Sequence, residues 1–140
     1  MKDALIGRWN IVSWEQRYDD GRVLTPMGTG LDGFLLYTAT GYMSVFICAN
    51  GRRPFASGLQ FGGTLEERAM AYDSVLSYGG TYEVDGDVVR HNVEVSLFPN
   101  WKGQVQQRRY TVDGDRLSIV AELERGTAES RKAVLEWVRA

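Results

Sequence analysis

Turn signals divide this chain at short, fairly even intervals: Asp19-Asp20-Gly21, Thr40-Gly41, Asn50-Gly51, Asp85-Gly86, the stretch from Asn100 to Gly103, and Asp113-Gly114. Dipeptides of this kind mark hairpin turns. Between them lie eight runs rich in β-branched and aromatic residues, at 9–15, 34–38, 42–48, 81–84, 88–97, 105–112, 117–123 and 133–139. Eight antiparallel strands joined mostly by tight turns can form a sandwich or a barrel. Closure has the advantage of leaving no unpaired edge strand, and a ring of eight encloses a space that side chains fill or one small ligand occupies. The expected fold is therefore all-β, an eight-stranded antiparallel barrel.

One segment breaks the β pattern. Thr64-Leu65-Glu66-Glu67 is a capping-box sequence, in which the Thr64 hydroxyl accepts from the Glu67 amide while the Glu67 carboxylate reaches back. A short helix near the barrel mouth should follow, with Leu65, Ala69, Tyr72 and Leu76 as its apolar stripe packed on the barrel and Gly79-Gly80 as its stop. The loop at 49–63, with Arg52-Arg53-Pro54-Phe55 and several glycines, is long for a hairpin connection. Loops of that length are often lids, so this one is expected to cover the mouth together with the helix.

Composition removes several functions. A net charge of −2 with scattered basic residues argues against a nucleic-acid partner. One cysteine, Cys48, allows no internal disulfide, and one cysteine with one histidine falls short of any zinc spacing, so no metal is expected. Cys48 itself reads as a structural thiol. Met1-Lys2-Asp3-Ala4-Leu5-Ile6-Gly7 lacks the basic start and long apolar run of a signal peptide, and no stretch is long and apolar enough to span a bilayer. The expectation is a cytoplasmic protein of one domain, 1–140, with no cofactor and no membrane partner. No phosphate loop, nucleophile elbow or His-Glu-X-X-His helix occurs.

Alternation assigns inward faces, because successive strand residues point to opposite sides. Val89, His91, Val93, Val95 and Leu97 form the more apolar set on their strand, which turns His91 inward. Gln106, Arg108, Tyr110 and Val112 do the same on the next, so Arg108 and Gln106 also face the interior. A buried guanidinium keeps its proton and must be paired. The candidates are a cavity carboxylate, Glu94 or Glu122, or an anionic or carbonyl-bearing ligand.

Near the N-terminus, Gly7-Arg8-Trp9 matches the Gly-X-Trp signature with which lipocalins and their calycin relatives begin their first strand. Trp9 to Glu15, Gly33-Phe34-Leu35-Leu36-Tyr37-Thr38, Gly41-Tyr42-Met43-Ser44-Val45, Tyr78-Gly79-Gly80-Thr81-Tyr82, His91-Asn92-Val93-Glu94, Pro99-Asn100-Trp101-Lys102-Gly103, Gln106-Gln107-Arg108 and Gly114-Asp115-Arg116-Leu117 come after it in order. The chain resembles the bacterial and fungal lipocalin-like domain family over nearly its whole length. That resemblance implies an eight-stranded barrel closed around a pocket, with Trp9 buried at the closed end and a late basic residue stacked on it, for which Arg139 is the candidate. It implies a fold more than an activity.

The function expected is binding of one small, largely apolar molecule with a polar or anionic group, in the barrel cavity. The candidate contacts are Ser13, Tyr37, Met43, Tyr78, His91, Gln106, Arg108, Tyr110 and Trp137. The alternative is a cofactor-independent isomerase, cyclase or hydratase on the same barrel, with His91 as acid or base and Arg108 polarising an oxygen. An open cavity with His91 bonded to a tyrosine or carboxylate would favour that alternative. A barrel packed solid, serving as an interaction module, is the third reading, and a homodimer is left open.

Overall fold

The computed structural model describes residues 2–140. Its strands are β1 (Gly7–Tyr18), β2 (Val23–Leu24), β3 (Leu31–Tyr37), β4 (Tyr42–Ala49), β5 (Val75–Asp85), β6 (Val88–Ser96), β7 (Val105–Asp113), β8 (Arg116–Leu123) and β9 (Arg131–Arg139), with helix α1 (Leu65–Asp73) between β4 and β5. From β3 to β9 each strand pairs antiparallel with the next. β1 pairs with β3 at its start and with β9 over Trp9 to Tyr18, which closes a ring of eight strands. All eight runs read from the sequence lie in that ring. β2 was not expected: it is an exposed two-residue extension beside β1, too short for a periodic signal.

Two β-bulges interrupt the alternation. In β1 the register against β9 steps from Ile11 opposite Trp137 to Ser13 opposite Glu136, so Val12 is the extra residue. In β6 it steps from Val93 opposite Gly80 to Val95 opposite Gly79, which makes Glu94 extra. Each extra residue swaps the faces of the remaining residues of its strand. The expected inward set on β6 therefore needs correcting: Val89, His91 and Val93 are buried, but Val95 is 65% exposed and Leu97 39% exposed. Gly80 is what lets the second bulge form, since a Cβ there would sit 1.9 Å from the Asn92 carbonyl oxygen.

The capping box forms as read, with the Glu67 amide donating to Thr64 Oγ1 at 3.1 Å and the Thr64 amide donating to Glu67 Oε1 at 2.9 Å. The apolar stripe does not. α1 stops at Asp73, none of its residues is buried, and Leu65 is 82% exposed. Leu76 and Gly79-Gly80 belong to β5, because pairing with β4 begins at Val75 opposite Cys48 and that ladder outcompetes another turn of helix.

One end of the barrel is packed solid. Leu5, Trp9, Tyr37, Met43, Tyr82 and Leu117 fill it. The Trp9 indole N–H donates to the Leu5 carbonyl at 2.9 Å, and the Arg139 guanidinium lies 4.1 Å over the Trp9 ring, as the resemblance implied.

Candidate functional site

Filling at one end leaves the other half of the barrel hollow. A cavity of about 420 Å³ opens between the late halves of β1 and β8 and the early halves of β5, β7 and β9, with Phe98, Trp101, Leu123 and Glu124 around its mouth. Its walls are mostly apolar, including Leu35, Val45, Ile119, Ala121, Leu135 and Trp137. A wider groove of about 840 Å³ runs along β7 and β8, lined mainly by polar and charged side chains such as Gln107, Arg109, Thr111, Ser118 and Glu122, and Arg108 is the residue it shares with the inner cavity. Neither α1 nor any residue of 49–63 lines the inner cavity, so the expected lid is not part of its wall.

Of the residues read from the sequence, Tyr78, His91, Gln106, Arg108 and Trp137 meet on this wall. Tyr37 stands behind it, buried, and reaches it only through His91. Ser13, Met43 and Tyr110 are placed elsewhere. Ser13 falls after the Val12 bulge, which gives the inward positions to Trp14 and Gln16 instead. Met43 packs in the solid end, and the Tyr110 hydroxyl donates to the Gly86 carbonyl at 3.1 Å.

His91 is 2% exposed and held from both sides. Tyr37 Oη lies 2.6 Å from Nε2, and Tyr78 Oη lies 2.7 Å from Nδ1. Burial, and secondarily the Arg108 charge, pulls its pKa down to about 3, so the ring is neutral near pH 7. A neutral imidazole donates from one nitrogen and accepts at the other. If Nε2 carried the proton, the Tyr37 hydroxyl hydrogen would be left in the core with no acceptor among the described residues, a cost of about 1–3 kcal/mol. If Nδ1 carries it, Tyr37 donates to Nε2, His91 donates to Tyr78, and the spare hydrogen is that of Tyr78, on the cavity wall. The second arrangement wins. Burial raises the Tyr78 pKa to about 12 against the opposing pull of Arg108, so the phenol keeps its proton.

Arg108 lies beside this relay on β7. Its Nη2 donates to Gln106 Oε1 at 2.6 Å and its Nη1 to the Gln107 carbonyl at 3.0 Å. Burial lowers its pKa, while Tyr78 and Tyr37 push it back up. Guanidinium basicity leaves ample margin for it to stay charged. Neither expected carboxylate reaches it: Glu94 is the exposed bulge residue, and Glu122 pairs with Arg125 at 3.2 Å. A second guanidinium was missed from the sequence. Arg131 also lines the cavity, donating from Nε to Gln16 Oε1 at 2.8 Å, and among the described residues neither arginine has a carboxylate partner.

The family model of the lipocalin-like domain matches residues 6–140. The chain belongs to that family. Among relatives of this lipocalin-like chain is the 4'-hydroxy-3'-methoxypropiophenone carrier protein of Aspergillus oryzae, 36% identical over 75 residues, which span 47% of this chain and 68% of that protein. Two solved structures are similar to the lipocalin-like barrel. One is a lipocalin-like protein from Bacteroides uniformis, 14% identical with a TM-score of 0.49, covering 94% of this chain and 96% of that one. The other is an uncharacterized protein from Bacteroides eggerthii, 12% identical with a TM-score of 0.47, covering 94% and 98%. Among the described residues no helix is long and apolar enough to cross a membrane, and no group of metal-binding side chains converges.

Proposed function

We propose that this lipocalin-like barrel binds one small, largely apolar molecule in its inner cavity, with a polar or anionic group of the guest directed at Arg108. The observation that carries the reading is the pair Arg108 and Arg131 on the wall of a largely apolar hollow, neither of them in an ion pair with a carboxylate among the described residues. A barrel selected only for packing would fill that volume with aliphatic side chains, since burying unpaired charge is costly. About 420 Å³ lies in the range of small-molecule pockets. The carrier name of the Aspergillus relative supports the same class of function. A chain with a single cysteine suits a reducing compartment, and we read the protein as acting in the cytoplasm.

Native mass spectrometry of freshly purified protein, followed by titration with 8-anilinonaphthalene-1-sulfonate, tests this. A co-purified mass or saturable one-to-one uptake of the anionic probe is expected, and absence of both would remove the binding reading. A second reading, an enzyme on the same barrel, is favoured by the Tyr78–His91 contact at the cavity wall. Against it, both imidazole nitrogens are engaged and the ring stays neutral, so any acid role would pass through the Tyr78 hydroxyl. Turnover of a bound substrate that collapses in His91→Ala while affinity holds would favour the enzyme over the carrier.

A further inference from the structure

The inward polar groups share a feature set by their partners. Both amide oxygens on the wall already accept a bond from a guanidinium: Gln106 Oε1 from Arg108, and Gln16 Oε1 from Arg131. The imidazole acceptor of His91 is taken by the Tyr37 hydroxyl. The donors are left over. Each glutamine keeps its NH2 group, both guanidinium groups have more N–H bonds than partners, and Tyr78 keeps its hydroxyl hydrogen. The indole N–H groups of Trp14 and Trp137, both on the wall, are buried with no hydrogen-bond partner among the described residues. Among the described residues Glu124 is the wall's one carboxylate, and it stands exposed at the mouth.

We propose that the cavity selects its guest by polar complementarity, taking molecules whose inward polar atoms are hydrogen-bond acceptors only, such as a ketone or carboxylate oxygen held by Tyr78 and Arg108. A guest that brings its own donors meets a surplus of competing donors, with only second lone pairs on the two amide oxygens and Tyr78 Oη inside and Glu124 out at the mouth to accept them, and a cation meets two like charges. His91 is then a positioning residue: both its ring nitrogens are engaged by tyrosines, and it fixes which way the Tyr78 hydrogen points. This rests on the binding reading and sharpens it to a class of ligand.

Three probes with one carbon skeleton separate the possibilities by calorimetric titration: propiophenone, which only accepts; propylbenzene, which does neither; and 1-phenylpropan-1-amine, a cation at neutral pH that only donates. The ketone should bind, with affinity falling about five- to tenfold in Tyr78→Phe while that of propylbenzene stays within twofold; the amine should bind at least tenfold more weakly than the ketone. Equal binding of ketone and amine, or a ketone affinity untouched by Tyr78→Phe, overturns the selectivity while leaving the binding function standing. If neither neutral probe nor the anionic fluorophore binds, the binding reading itself fails and the selectivity with it. Nitrogen-15 chemical shifts of the imidazole give a readout that needs no guest. A proton on Nδ1 is expected, and a proton on Nε2 would reverse the relay and refute the proposal.

Discussion

Arg139, on the last strand, covers the face of Trp9, on the first, and its Nη1 and Nη2 donate to the carbonyls of Ile6 and Ala4 at 3.0 and 2.9 Å. One guanidinium thus ties the entering chain to the solid end of the barrel through a ring contact and two charge-assisted bonds. Arg139→Ala should lower unfolding free energy by about 2 kcal/mol in urea melts, a figure that allows for the partial exposure of the side chain. Arg139→Lys should recover less than half, because an ammonium cannot cover the indole and reach both carbonyls together.

The tyrosine–histidine relay should behave as a unit. Tyr37→Phe and His91→Leu each leave a buried partner unsatisfied, at about 1–3 kcal/mol apiece. The double variant should cost less than the sum by 1 kcal/mol or more on the order of magnitude of coupled networks. Strict additivity in denaturant melts would show that the contact contributes nothing.

Stability should rise with pH across the acid range, for a reason specific to His91. Its folded pKa of about 3 lies below the ordinary 6.5, so between those values the unfolded chain binds a proton that the folded chain refuses. The slope of unfolding free energy is therefore positive there, approaching about 1.4 kcal/mol per pH unit, and this contribution is complete above 6.5. Measured between pH 5 and 6.5, above most carboxylate titration, the slope should be steep in the wild type. It should flatten in His91→Gln.

Two glycines are fixed by backbone proximity. A Cβ on Gly80 would lie 1.9 Å from the Asn92 oxygen, and one on Gly33, where φ is +146°, would lie 2.1 Å from the Phe46 oxygen. Gly80→Ala and Gly33→Ala should each destabilise by at least about 3 kcal/mol or prevent folding. Gly41→Ala, where φ is +95° and the space is open, should cost only about 1 kcal/mol. Thermal melts of the three order them directly.

The ring of strands was legible because period-two runs and turn residues are local signals, and Gln106, Arg108 and His91 were placed inward correctly because no bulge precedes them within their strands' paired segments. The errors over which side chains face inward on β1 and β6 trace to the two bulges. An extra residue at Val12 moved the inward role from Ser13 to Trp14 and Gln16, and one at Glu94 turned Val95 outward. Neither has a composition signal: Gly80, which admits the second bulge, sits on the opposite strand and read as a helix stop. Arg131 was missed because its neighbours in sequence are polar loop residues, and only pairing with β1 brings it to Gln16.

The seam between β1 and β9 also dictates when the molecule can become whole. It joins the two ends of the ring, so no amount of local hairpin formation completes it, and its closure carries the largest loop entropy in the fold. Until β9 arrives, a nascent chain presents bare hydrogen-bonding margins on β1 and β8 and an unroofed hollow. During that interval the chain is most open to mispairing with a neighbour, and a guest molecule would have nothing yet to grip.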